Sequence, residues 1–193
     1  MGRGLKITLI VLAVLIIVIF LLVSYVKGIY NGFVALDEGV NNTWANVENQ
    51  LQRRFDLIPN LVETVKGYAS HESEVLTQVT QARASVGGAV TPDEKMAANN
   101  QLTSALSRLL LVVEQYPDLK ADQRFKDLQV ELSGTENRIA VERRRYNDTV
   151  KQYNQKVRLF PDNIFAGIFG FKERNYFEAP TEAKQAPKVD FSK

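Results

Sequence analysis

The chain reads as an all-α membrane-anchored protein, and three observations in its 193 residues lead there. Residues 7–26 contain no charge and sixteen Leu, Ile, Val or Phe side chains, bracketed by Lys6 and Lys27. From Tyr30 onward, apolar residues recur at heptad spacing for about eight heptads, the pattern of a helical seam. Nowhere do polar and apolar residues alternate as in a half-buried strand. The predicted fold is an N-terminal single transmembrane helix followed by an elongated up-and-down antiparallel helical bundle of three long helices plus a short C-terminal apolar helix.

The anchor follows from length and composition. At about 1.5 Å per residue, the run spans roughly 30 Å of hydrocarbon, and each central aliphatic residue favours insertion by roughly 0.3–0.6 kcal/mol. It leaves through Ser24-Tyr25-Val26 rather than a small-residue cleavage site, so the reading is an uncleaved single-pass span with membrane lipid as its first partner. Arg3, Lys6 and the terminal amine precede the run, whereas only Lys27 closely follows. That balance puts the amino terminus in the cytoplasm and the bundle outside it.

Three segments are expected: 1–27, an N-terminal tail and transmembrane anchor; 28–177, one helical domain; and 178–193, a disordered tail marked by Pro180, Gln185 and Pro187. The absence of cysteine excludes a disulfide framework, leaving apolar packing to hold the domain. A net charge of +2 gives no field suited to nucleic acid, and Trp44, the single tryptophan, sits in the seam rather than on a stacking platform.

The first helix follows two apolar rows. One runs Tyr30, Asp37, Trp44, Leu51, Ile58, Val65, Glu72, Val79 and Val86; the other runs Phe33, Val40, Val47, Arg54, Leu61, Tyr68, Val75 and Ala82. The helix is expected to continue to Val86, where Gly87-Gly88 frees the backbone and Thr91-Pro92-Asp93-Glu94 supplies a capping box. Leu102, Leu106, Leu109 and Val113 form the face of the second helix, which ends near Tyr116-Pro117. The third starts near Asp122 and carries Phe125, Leu132, Ile139, Tyr146, Tyr153 and Phe160 at seven-residue spacing. Residues 116–121 are either a kink, which would return Phe160 toward the membrane, or a sharp reversal.

Polar interruptions supply the candidate sites. In RRFDLIPNLV, Pro59 deprives the Phe55 carbonyl of its helical donor at a cost of roughly 3 kcal/mol, while Arg53, Asp56 and Asn60 lie close enough to answer local groups. Either a bend or a recognition element fits. In the third helix Gly134 permits close approach of a neighbouring backbone, and Glu136, with Asn137 and Arg138 after it, falls inside the apolar sector. A buried Glu136 needs a partner, for which Arg53, Arg54 and Arg143 are available; such a pair more often sets register than does chemistry. Arg143-Arg144-Arg145 cannot form one dense basic face, because successive helical residues point about 100° apart. Residues 164–171 are apolar on every side, with Asp162 or Asn163 available as a cap. Phe165 and Phe169 there either close the core or contact membrane or another subunit.

These strings also carry a resemblance. YNGFVALDEGVNNTWANVENQLQRRFDLIPNLVETVKGYASHE, EQYPDLKA, TENRIAVERRRYNDTVKQYN and FPDNIFAGIFGF, in this order, resemble the LemA family of bacterial membrane proteins from the anchor to Phe177. The resemblance implies a membrane helix followed by an up-and-down bundle, a bacterial cytoplasmic membrane location and no established catalytic activity. It also implies a cytoplasmic bundle, opposite to the charge count, so both orientations stand.

Enzyme chemistry finds no foothold in the sequence. His71 is the single histidine, no glutamate lies three residues before it, and nucleophile-elbow and phosphate-loop motifs are absent, so no catalytic residue, metal or cofactor is assigned. The expected role is a non-enzymatic scaffold. A seam longer than its cover would leave Tyr30, Phe33, Val40, Trp44 and Val47 wet, and that predicts a homo-oligomer. The alternative is a regulatory adaptor for a membrane protease, transporter or envelope enzyme, using RRFDLIPNLV and TENRIA to hold a membrane-protein partner.

Overall fold

The computed structural model describes residues 2–178, except for the side chains at positions 3 and 5. Among the described residues the helices are, in chain order, α1 (Arg3–Tyr68), α2 (Ser73–Gly88), α3 (Pro92–Val113), α4 (Pro117–Ala121), α5 (Gln123–Arg158) and α6 (Asp162–Phe169). All but the first residue of the expected 178–193 tail lies outside the described residues.

The apolar run forms the early turns of α1, and up to Ser24 it is exposed among the described residues: Ile10 is 63% and Phe20 69% exposed. A helix of membrane length with dry side chains on every face is built for lipid as its solvent. α1 passes through Pro59 but stops at Tyr68 rather than reaching Val86. The expected single helix to Val86 is therefore two helices. The Ala69 N–H closes the last turn on Val65 at 2.8 Å, the Glu72 N–H bonds the Ala69 carbonyl at 3.1 Å, and the chain reverses through Ser70 and His71. These polar residues compete with helical bonding. The heptad rows hid the reversal because Leu76, Val79 and Ala82 of α2 bury in the same core as Ile58, Leu61 and Val65 of α1.

The next boundaries match the sequence signals. α2 ends at Gly88. At the start of α3, Thr91 Oγ1 accepts the Glu94 N–H at 3.2 Å, while Glu94 Oε2 accepts the N–H groups of Thr91 and Val90, each at 2.9 Å. This is the anticipated reciprocal box, with Pro92 in the first turn.

Contacts divide the chain into two units: Met1–Asn42 with Asp148–Arg174, and Thr43–Asn147 with Asn175–Lys193. In the second unit, cross-helix pairs fix the helix directions. Trp44 meets Tyr146, Arg54 meets Glu136 and Tyr68 meets Asp122, so α5 runs antiparallel to α1. Glu48 pairs with Lys95 and Arg54 bonds Thr103, so α3 runs with α1. Glu72 accepts from Tyr116 and Gln78 from Arg108, which sets α2 against α3. Among the described residues of this unit, successive long helices thus alternate in direction, and residues 116–121 make a reversal around α4 rather than a kink. Its core includes Ile58, Val65, Val79, Leu102, Leu109, Leu119 and Phe125, each at most 1% exposed. Burying a side chain of this size contributes roughly 1.5–3 kcal/mol.

In the first unit, Ile29 and Phe33 of α1 and Ala166 of α6 form a small core joined by Val157, Phe165 and Phe171. Phe33 stacks on Phe171 at 4.9 Å, and Tyr30 meets Phe169 edge-on at 5.1 Å. α6 begins after Pro161 with no side-chain cap, so neither Asp162 nor Asn163 plays that part. Asp162 instead pairs with Lys156 at 2.8 Å.

Three further expectations are corrected. Phe33 (0%), Val40 (2%) and Val47 (0%) are buried by their own chain, Tyr30 leans on Phe169, and Trp44 is half-buried. No wet apolar ridge therefore runs along this part of α1, and the argued motive for self-association is gone. Phe160, placed in the seam by its spacing, is 80% exposed because α5 ends at Arg158. A Cβ on Gly134 would meet nothing within 4 Å, so no backbone makes the close approach anticipated there.

Candidate functional site

The polar residues interrupting the seam gather around Arg54. The second apolar row of α1 would place a hydrophobic side chain at this position, and the backbone does bury it to 1% exposure. A guanidinium presents five N–H donors and no acceptor, so in a buried position it needs acceptors around it. Nη1 donates to Glu136 Oε2 at 2.7 Å and Thr103 Oγ1 at 2.9 Å. Nη2 donates to Asn99 Oδ1 at 2.7 Å and the Asn99 carbonyl at 3.2 Å, while Nε has no protein partner. Asn99 is itself fixed through its Nδ2–H bond to the Lys95 carbonyl at 2.8 Å. One arginine thus ties α1 to α3 and α5.

The arrangement is asymmetric. The Glu136 side chain is 45% exposed, and that of Arg54 is 2% exposed. Arg143 lies near enough for its charge to be felt; burial, opposed by Glu136, lowers its pKa from the ordinary arginine value. What this constellation can do is fix helix register and reject misaligned packing. Among the described residues, no group of three or more His, Asp or Glu is arranged to hold a metal ion.

Of the suspected Glu136 partners, Arg54 is the one bonded; Arg53 is exposed and Arg143 lies over the Phe177 ring at 4.4 Å. Arg53, Asp56 and Asn60 form an exposed strip one helical turn apart, and Asn137 and Arg138 are exposed on α5. Asn99 and Thr103 were missed. Extending the row of Leu102, Leu106, Leu109 and Val113 backward by three residues reaches Asn99, an amide where an apolar group belongs, and that signal was available.

Pro59 has an unexpected remedy. The Phe55 carbonyl, left without its helical donor, accepts Arg83 Nε–H of α2 at 3.3 Å, and the guanidinium stacks 4.0 Å over the Phe55 ring. The local residues Arg53 and Asn60 take no part in this bond. Two asparagines of α5 also went unrecognised. In one unit, Asn154 exchanges two 2.8 Å bonds with the backbone of Arg174, whose guanidinium reaches Asp37 at 2.8 Å. In the other, Asn147 accepts the Phe177 N–H at 2.8 Å and donates to its carbonyl at 3.1 Å. Each side-chain amide holds a backbone segment that has no helix or sheet partner of its own.

Comparison with known proteins adds an independent line. A family model described as the LemA family matches residues 43–191. Magnetosome protein MamQ 2 of Paramagnetospirillum magneticum is 29% identical over 204 aligned residues, covering 92% of this chain and 74% of that protein. Magnetosome protein MamQ of Magnetospirillum gryphiswaldense is 28% identical with the same coverage of each chain. Protein LemA of Metamycoplasma hominis is 28% identical across 66% of this chain and 58% of its own length.

Proposed function

We propose, on the premise that this chain belongs to the LemA family, that it is a non-enzymatic membrane-anchored helical scaffold holding partners, including copies of itself, near a bacterial membrane. The observation that carries the reading is α1 itself: one uninterrupted helix supplies both the uncovered apolar span and a wall of the bundle. The chain passes from the apolar span into the bundle within that helix, with no non-helical linker between them. The buried polar residues are engaged in holding helices together, which suits a scaffold and supplies no reaction.

With the seam covered, self-association has to come from surface residues. Affinity-tagged full-length protein, extracted from native membranes in mild detergent and measured by light scattering and mass spectrometry, tests the reading. A defined assembly of copies, or a reproducible stoichiometric membrane-protein partner, is expected. A strict monomer with no partner, before and after crosslinking, refutes it.

The second reading is a regulatory adaptor for a membrane protease, transporter or envelope enzyme. It is favoured by the exposed strip Arg53, Asp56 and Asn60, and by the groove beside Glu136 lined by Thr103, Leu106, Leu110, Leu132 and Ser133. Arg53→Ala with Asn60→Ala separates the two. Loss of another membrane protein with self-assembly intact favours the adaptor.

A further inference from the structure

α6 and the turn before it present two apolar faces, only one of which the fold uses. One face of this helix is accounted for: Phe165, Ala166 and Phe169 pack on Tyr25, Ile29, Tyr30 and Phe33 of α1. The opposite face is apolar and uncovered. Leu159 is 62%, Phe160 80%, Ile164 53% and Ile168 70% exposed, values matching those of the membrane run itself. Phe160, Ile164 and Ile168 are spaced four apart, so the two in α6 share a side and the third leads into it. Apolar side chains gathered on one side in this way mark an interaction surface, where singly scattered ones do not.

Position identifies what covers this face. Tyr25 belongs to the charge-free run, and its ring meets Phe165 edge-on at 6.3 Å. The rest of α6 packs within the next two turns of α1, the stretch in which Lys27 marks the change from hydrocarbon to headgroup. Lys27, Arg158 and Lys172 are exposed in this same unit, where cationic side chains suit anionic headgroups; Arg158 also lies 3.9 Å from Glu173. A short helix with one face on the anchor, the other apolar and bare, and cations around it has the composition of an interfacial segment.

We infer that α6 is a second membrane contact, with Phe160, Ile164 and Ile168 seated at the headgroup–acyl boundary beside the anchor. This rests on residues 7–26 spanning the bilayer and adds a contact that fixes the anchor's rotation and depth. A single transmembrane helix alone leaves both free.

The chain has no cysteine, so single probes can be placed without further changes. Full-length Ile16→Cys, Ile164→Cys, Ile168→Cys and Val130→Cys variants, each labelled with the fluorophore NBD, are reconstituted in phosphatidylethanolamine–phosphatidylglycerol vesicles with and without doxyl-labelled lipid. Probes at 164 and 168 are expected to emit blue-shifted and to be quenched by shallow doxyl groups several-fold more than the probe at exposed Val130 of α5. Water-like, unquenched emission at both positions overturns the proposal. Blue-shifted emission without doxyl quenching also overturns it, because a second copy or the protein's own fold then covers the face. Absence of quenching at Ile16 removes the anchor and this contact together, whereas quenching there but not at 164 and 168 removes only the contact.

Discussion

The pairing of Pro59 with Arg83 makes a prediction that sequence periodicity could not. Pro59 strips the Phe55 carbonyl of its N–H donor, and Arg83 supplies one at 3.3 Å while stacking 4.0 Å over the same residue's ring. Arg83→Ala therefore loses a hydrogen bond of about 0.5–1.5 kcal/mol and a cation–π contact of about 0.5–1 kcal/mol, together about 1–2.5 kcal/mol. In a Pro59→Ala background the backbone N–H returns, the carbonyl regains its helical partner, and the same substitution costs about 0.5–1 kcal/mol, the stacking part alone. The double-mutant cycle should show a coupling of about 1 kcal/mol. Chemical unfolding in detergent, followed by the emission of Trp44, the single tryptophan, measures all four corners. Strict additivity, within about 0.3 kcal/mol, would refute the claim that Arg83 answers the proline.

Three more outcomes follow from the same geometry. Gly134→Ala should raise stability by about 0.5–1 kcal/mol, read by thermal melting, because the residue is mid-helix and its new methyl meets open space. Arg54→Ala should cost about 3 kcal/mol or more by leaving Asn99 and a cavity buried, whereas Glu136→Gln, half-exposed and still able to accept, should cost about 1 kcal/mol; equal effects in denaturant titrations would contradict the asymmetry of the cluster. The pKa of Glu94 is held down first by the Thr91 N–H, then by Val90, and that of Asp122 first by the Phe125 N–H, then by the Tyr68 hydroxyl. Folded values below unfolded ones lend stability that is complete above an ordinary carboxylate pKa of about 4 and disappears as pH falls through the folded values. Glu94→Gln with Asp122→Asn should therefore flatten the decline of melting temperature below about pH 4 and lower the plateau above it.

The anchor, the α2 end at Gly88, the capping box at Thr91 and the α3 and α5 seams were legible because each rests on local chemistry or a long period. The reversal at residues 69–72 was not, since a seven-residue rhythm survives a turn when both arms face one core, as Val65 and Val79 do. Glu72, accepted as a lapse in the rhythm, was the clue. Phe160 followed the period past the helix end, where no packing enforced it. The supposed wet ridge failed for a different reason: Phe33 and Val40 are covered by elements distant in sequence, and heptad counting cannot see that cover. At the Arg54 cluster the charge pair could be named in advance because both members break apolar rows. Its neutral members, Asn99 and Thr103, look like ordinary helix-surface residues until the row through Leu102 is carried backward.

The scaffold claim meets its most direct test in intact bacterial membranes. Photo-crosslinking residues introduced one at a time at Arg53, Asp56, Asn60, Asn137 and Arg138, all exposed, report what lies against the bundle surface. The account predicts discrete adducts in which the same membrane protein, or a second copy of this chain, recurs from neighbouring sites. Irradiation that yields only uncrosslinked protein at every one of these positions would contradict it.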